Sequence, residues 1–285
     1  MKFNKVYIEL TNICGLTCSF CPTKELQSTS MTLEFFENIL IQLKPYTKEI
    51  AYHVFGDPLT LNNLEKYLDI SHKHNFKVHI TTSGYYLDKF SINLFLHPAI
   101  KQINFSLNSF NKNDMNKTLE QYLNPILQLC KLKLDKEVHN FINLRLWNLD
   151  TQNSEQNFNQ KVFSLLESFF NIKIDKSNKE PLRLENQIKL HFDNYFRWPS
   201  LTSNHHSHNS CYGLKSHFGI LSSGVVVPCC LDSYGSINLG NLHTQTLEDI
   251  LDSTRTQNII NGFKENKAVE ELCIKCSYKD KFKKN

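Results

Sequence analysis

Between residues 5 and 11 the apolar side chains Val6, Ile8 and Leu10 alternate with Tyr7, Glu9 and Thr11, a period of two that predicts a strand. Across residues 32–44 the period changes. Leu33, Phe36, Ile39, Leu40 and Leu43 recur at helical spacing, with Thr32 opening the segment, Glu34 in its first turn and Pro45 at its stop. The strand-then-helix unit repeats. Strands are predicted at residues 50–55, 77–82, 102–107 and 141–149, helices at 61–74, 87–96, 119–134 and 154–170, and a less regular sixth strand within 182–190. Strands that alternate with helices pair in parallel through crossover connections. Five or six such units predict an α/β fold, a partial (β/α)6 TIM-like barrel whose working face lies at the C-terminal ends of its strands.

Strand parity refines this picture. If the more apolar face of each strand meets the helices, Val6, Ile8, Leu10, Ile103, Phe105, Leu107, Ile142, Leu144 and Leu146 point outward. The inner face then carries Glu9, His53, His79, Asn104, Ser106, Asn108, Asn143 and Arg145. A closed barrel fills its interior with branched aliphatic side chains. So many polar groups are costly to enclose unless they line a hydrated or ligand-filled cavity, so an open barrel holding a polar ligand is expected.

Composition narrows the class of protein. The chain has 285 residues, 40% hydrophobic and 21% charged, as in an ordinary globular protein with ample core. Its formal net charge of +4 is spread along the sequence, which gives no basic stripe for nucleic acid. No apolar run approaches the ~20 residues that span a bilayer, and no signal-type segment precedes the first strand. A cytoplasmic protein is expected, with neither a nucleic-acid nor a membrane partner. Nine cysteines in a reducing compartment read as metal ligands or catalysts sooner than as disulfides, and only Cys130 stands apart from the others.

The first cysteine cluster follows the first strand directly. Cys14, Cys18 and Cys21 form a C-x3-C-x2-C array, with Phe20 just before the last cysteine. Three thiolates on one short loop ligate three irons of a [4Fe-4S] cube and leave the fourth open to a small molecule. Zinc, the competing metal, takes four ligands, and this trio has no nearby fourth Cys or His. The array resembles the signature of the radical S-adenosylmethionine (SAM) superfamily, which has a partial TIM-like barrel. The resemblance implies that the open iron binds the amino and carboxylate groups of SAM, and that reductive cleavage yields a 5'-deoxyadenosyl radical that abstracts a substrate hydrogen atom. A flavodoxin- or ferredoxin-type electron donor goes with it.

Further segments carry the resemblance. Gly56, Asp57 and Pro58, after the second strand, are similar to the superfamily's Gly-Gly-Glu-Pro segment, with Phe55 in place of the first glycine and Asp57 in place of Glu. Backbone carbonyls there accept from the ammonium of SAM whatever the side chains. Thr82-Ser83-Gly84 resembles the family's Thr-Asn-Gly, with Ser83 for Asn. Ser106, Asn108 and Arg145 match positions that present polar groups to the ribose and carboxylate of SAM, and a guanidinium suits a carboxylate because its fork binds both oxygens.

Beyond Phe196-Arg197-Trp198-Pro199 the sequence turns polar and His-rich across residues 202–210, the expected boundary between a barrel of residues 1–200 and a small cysteine-rich unit of residues 201–285. His205, His206 and His208 lie there and read as loop residues rather than as a metal site. Cys211, Cys229, Cys230, Cys273 and Cys276 supply enough thiolates for a second cluster or for zinc. Residues 218–227 predict a hairpin turning at Ser223-Gly224, and Thr246 caps a following helix. The segments 224–229 and 238–242 resemble the Twitch/SPASM auxiliary-cluster domains. The shorter Twitch form, with one [4Fe-4S] cluster on Cys211, Cys229, Cys273 and Cys276, resembles this tail more, in the manner of radical SAM dehydrogenases that oxidise an aminocyclitol alcohol. Either Cys229 or Cys230 is the second ligand. The spare thiol, Cys230 in the family pattern, is inert packing, an alternative ligand or a hydrogen-atom donor.

The resemblance implies a radical SAM oxidoreductase in which the auxiliary cluster takes the second electron and a small molecule such as an alcohol or sugar is dehydrogenated. Asp232 is a candidate base, or a turn residue. Modification of a ribosomal peptide, epimerisation through Cys230 and a non-catalytic metal-binding scaffold are the alternatives. Relatives that modify peptides commonly carry a leader-binding domain, and none precedes the first strand here.

Overall fold

The computed structural model describes residues 1–22, 26–114, 116–149, 153–175, 180–206 and 210–282, without the side chains of 153 and 154. Its centre is a run of parallel strands: β1 (Lys5–Ile8), β2 (Glu49–Tyr52), β3 (Lys77–Thr82), β4 (Ile100–Ser106) and β5 (Phe141–Leu146). β6 (Leu182–Glu185) and β7 (Ile188–Phe192) follow. β8 (His217–Ile220), β9 (Val225–Val227) and β10 (Gly240–Asn241) come last, and the sheet order is β10-β9-β8-β1-β2-β3-β4-β5-β7-β6. The neighbouring pairs from β8 through β1 to β7 are parallel, which gives the open barrel.

Helices α1 (Leu33–Leu43), α2 (Leu64–Lys73), α3 (Leu119–Asp135) and α4 (Asn153–Phe170) lie between successive strands. Thr32 caps α1 by accepting from the Phe35 amide, and Thr118 and Gln121 close a capping box on α3. The outward parity holds: Val6, Ile8, Ile103, Phe105, Ile142 and Leu144 are fully buried against the helices. Full burial of a side chain of this kind contributes roughly 1.5–3 kcal/mol.

Two expectations are corrected. The helix at 87–96 is a pair of 3-10 turns, Leu87–Lys89 and Ile92–Leu96, because Ser91 and Pro98 leave the segment too short for a cooperative α-helix. The sixth barrel strand is β7, and the first part of the predicted span instead forms β6, which folds back antiparallel on β7 at the sheet edge. The sheet also takes in strands beyond residue 200. β8 pairs in parallel with β1, and its hairpin partner β9 and then β10 extend the same sheet. The tail ends in α5 (Leu247–Asp252), α6 (Thr254–Lys264) and α7 (Glu271–Ile274), with Thr246 capping α5 as expected.

Candidate active site

The cysteine loop leaves the end of β1 through a pinned neck. Met31 N–H donates to the Leu10 carbonyl at 2.8 Å, and Asn12 exchanges hydrogen bonds with Gln27 and Thr29. Two glycines allow the loop its path. Gly15 has φ +75°, and a Cβ there would lie 1.9 Å from the Tyr86 hydroxyl. A Cβ on Gly56 would lie 2.1 Å from the Thr11 carbonyl oxygen, so the loop after β2 packs directly on the base of the cysteine loop. The Asp57 amide donates to the Ile13 carbonyl at 2.9 Å across the same contact.

Cys14, Cys18 and Cys21 line one cleft at the C-terminal end of the barrel. The Cys18 thiol is drawn down to about 7, first by its hydrogen bond with Cys21 and then by donors that include the Asn113 side chain at 3.0 Å. Asn113 also accepts the Thr17 amide at 2.8 Å, so a residue outside the array holds its middle cysteine. Phe20 stacks on Tyr195 with ring centres 5.0 Å apart. Gly56, Asp57, Ser83, Ser106, Asn108 and Arg145 all reach the same cleft. Pro58 instead starts a 3-10 turn behind it.

Asp57 does not spend its carboxylate on the cleft. It accepts from the Thr82 hydroxyl at 2.8 Å, the Ser83 hydroxyl at 2.7 Å, the Ser83 amide at 2.8 Å and the Leu59 amide at 3.0 Å. Burial pushes its pKa up, and the Ser83 donors oppose that most. Its side chain therefore works as a brace between the loops after β2 and β3. Glu9 has a similar role: its oxygens take the Phe55 amide at 3.3 Å and the Ser222 amide and hydroxyl at 3.0 and 2.9 Å, which ties β1 to the β8–β9 turn.

A second cavity, of about 340 Å³, adjoins the cleft. His53, Arg145, Trp147, Phe196 and Trp198 line both. Its far side is lined by Cys211, Cys229, Cys230 and Cys276. The interior parity is met by His53, His79, Asn104 and Arg145, which face this space, whereas Asn143 donates to Asn104 at 3.0 Å. His53 is largely buried, its Nδ1 has no hydrogen-bond partner among the described residues, and burial lowers its pKa to about 4. Burial likewise lowers Arg145, to about 10, and its guanidinium lies 4.7 Å from the Trp147 ring.

Among the described residues no three Cys, His, Asp or Glu side chains are drawn together as a single-ion site. Cys211, Cys229, Cys273 and Cys276 are nevertheless near enough to act on one another. Burial raises all four thiol pKa values, and Cys230, then Cys211 and Cys273, further raise that of Cys229. Crowded thiols of this kind fit a cationic metal centre such as an iron-sulfur cluster, which would favour their thiolates together. Cys230 lines the same cavity beside them; burial lifts it to about 11, and a hydrogen bond with Tyr7 opposes that.

The remaining sequence candidates separate. Asp232 is 2% exposed and accepts the Ser236 and Ile237 amides at 2.8 and 2.7 Å, so it holds a turn and does not line the cavity. His206 pairs with Asp280 at 2.9 Å, and His208 lies outside the described residues. Parity missed Lys5 and Tyr7, which share the inner face with Glu9 and line the cavity. Phe196 and Trp198, which the sequence assigned to a boundary, form its wall. Their aromatic spacing was the one available signal.

The model of the radical SAM superfamily matches residues 8–152, and that of an iron-sulfur cluster-binding domain, SPASM, matches residues 211–277. No curated protein matches the chain. Several solved structures share its fold. BtrN in complex with AdoMet and 2-DOIA aligns at 15% identity over 97% of this chain and 94% of that one, with a TM-score of 0.65. SuiB of Streptococcus suis bound to precursor peptide SuiA aligns at 14% identity over 97% and 70%, with a TM-score of 0.60. Native anSMEcpe with bound AdoMet and Cp18Cys peptide aligns at 17% identity over 96% and 86%, with a TM-score of 0.59. The chain is a radical SAM superfamily enzyme with a C-terminal SPASM-type iron-sulfur domain, and its cofactors are S-adenosylmethionine, a [4Fe-4S] cluster and an auxiliary iron-sulfur centre.

Proposed function

We propose that the enzyme dehydrogenates a small-molecule alcohol. The supporting observation is the cavity of about 340 Å³ that touches the SAM cleft through His53, Arg145 and Trp147 and the second cysteine set through Cys211, Cys229 and Cys276. A substrate there would sit between the radical source and an electron acceptor, which dehydrogenation needs. Cys14, Cys18 and Cys21 would hold the SAM-binding cluster, and Cys211, Cys229, Cys273 and Cys276 the auxiliary one. When bound, these groups supply hydrogen-atom abstraction and take up the substrate's electrons.

The chain's own residues do the placing. Ser106 and Asn108 line the cleft where SAM binds, and the Asp57 brace fixes the Ser83 backbone beside them. Trp147, Phe196 and Trp198 wall the cavity and exclude water. Because Asp232 is committed to its turn, His53 is the better base: neutral, with an unpartnered Nδ1, and lining both spaces. Cys230 stays outside the ligand set and packs on Tyr7.

The second reading is peptide modification. An open groove of about 910 Å³ beside the cleft, lined by Phe20, Lys112, Tyr195, Arg197 and Tyr234, favours it, since a peptide could lie there. Two of the structural neighbours hold peptides.

Anaerobic reconstitution followed by iron counting and product analysis tests the choice. The expected result is about eight irons per chain, and a carbonyl product formed one-for-one with 5'-deoxyadenosine from a small alcohol. About four irons with SAM cleavage intact would remove the auxiliary acceptor and this reading with it. A modified peptide in place of a ketone would establish the second.

A further inference from the structure

We propose that the cavity takes an alcohol bearing an anionic group, a carboxylate or a phosphate, with Lys5 and Arg145 as its charge partners. The inference rests on the reading of that cavity as the substrate site. It starts from an imbalance: among the described residues no Asp or Glu lines the cavity, whereas Lys5, Arg145 and Lys279 do.

Lys279 is already used. Its ammonium donates to the Ile274 and Cys276 carbonyls at 2.8 and 3.1 Å, beside the second cysteine set. Other cations nearby are paired as well. Lys101 binds Glu49, which also takes His79 at 2.7 Å, and Lys112 binds Glu155. The Lys5 and Arg145 side chains make no hydrogen bond and no ion pair among the described residues; each lies over an aromatic ring, Tyr7 and Trp147. Burial holds the Lys5 ammonium below its ordinary value, Glu49 offsets part of this, and Arg145 adds to it. Two largely buried cations, neither ion-paired among the described residues, carry a standing desolvation cost that an anion would offset through charge-assisted hydrogen bonds.

The two residues differ in reach. Arg145 lines both spaces, so the carboxylate of SAM competes for it. Lys5 lines only the cavity, at the strand end remote from the cysteine loop, and no part of the SAM cleft touches it. The neighbours suit a hydroxylated anion: the Nδ1 atoms of His53 and His79 are buried without partners, and burial keeps both rings neutral with pKa values of about 4. An aminated substrate would instead set like charges against each other at a substantial cost.

The test is calorimetric titration of the reconstituted enzyme with SAM in excess, so that SAM's own carboxylate is already bound. The probes are inorganic phosphate, malonate and glycerol. Saturable binding of phosphate or malonate is expected, the tighter one identifying the group, with glycerol far weaker. Lys5→Gln and Lys5→Met should weaken the anion about tenfold or more, as loss of a charge-assisted bond requires, and Lys5→Arg should keep it. Lys131→Gln, on the exposed side of α3, is the control and should bind as the parent does. No saturable binding of either anion, glycerol binding as tightly, or affinity that both Lys5 neutralisations leave intact would overturn the proposal. The dehydrogenase reading fails separately, in the product assay, so the two failures are distinguishable.

Discussion

The Asp57 carboxylate accepts the Ser83 hydroxyl at 2.7 Å, and through it the loop after β2 is tied to the end of β3. Two loops that both line the cleft proposed for SAM are thus tied together. Asp57→Ala would leave the Ser83 amide and the Thr82 hydroxyl buried without an acceptor, at about 1–3 kcal/mol each. Thermal unfolding of the reconstituted protein should show a loss of roughly 3 kcal/mol or more, and SAM affinity should fall while the iron count holds. Unchanged unfolding would mean that the brace is idle.

Gly56→Ala tests the contact between the same loop and the cysteine loop. Its Cβ would stand 2.1 Å from the Thr11 carbonyl oxygen, which is backbone and has nowhere to swing. The cysteine loop must shift, so iron bound after reconstitution should fall toward about half, with SAM cleavage falling in step. Full iron and full cleavage in this variant would show that the neck tolerates the displacement.

The two cysteine sets should separate by mutation. Cys18→Ser is expected to abolish 5'-deoxyadenosine and leave the auxiliary iron. Cys273→Ser should do the reverse, keeping SAM cleavage and losing the oxidised product. Cys230→Ser should keep the full count of about eight irons, since its thiol turns to Tyr7. Iron lost from Cys230→Ser but not from Cys229→Ser would exchange the two assignments.

Acid should destabilise the protein through its enclosed histidines. Burial lowers His53, His79 and His217 to about 4, below the 6.5 of an exposed imidazole. Between those values the unfolded chain binds protons that the folded one refuses, so their contribution is constant above pH 6.5 and stability is lost as pH falls toward 4. His53 alone accounts for roughly 3 kcal/mol at the acid end. Denaturant unfolding measured from pH 7.5 to 4.5 should fall steadily below 6.5, and His53→Gln should flatten the slope by one proton. As the proposed base, His53 should also leave turnover without an inflection near 6.5, whereas a rate that titrates there would point to an exposed imidazole.

Much of this architecture was legible because it is local. Cys14, Cys18 and Cys21 share one loop, and a period of two puts Val6 and Ile8 on one face and Glu9 on the other, whatever the strands later pair with. The hairpin at Ser223-Gly224 and the Thr246 cap are also short-range, and both stand as the sequence implied. Spacing therefore determined the strand-helix order, the polar interior and the two sets of thiols.

Only the tertiary structure decided what those groups meet. Asp57 is close in sequence to the SAM motif, yet burial demands donors for its carboxylate, and Thr82 and Ser83 supply them from another loop. Asp232 is drawn into its turn by two amides for the same reason. β8 joins β1 because an open barrel leaves a parallel edge unpaired, and that pairing brings Cys229 and Cys230 to the cavity that holds Lys5 and Arg145. Sequence fixes which residues share a face or a loop; which faces then meet depends on register and on burial, and neither is a property of any one segment.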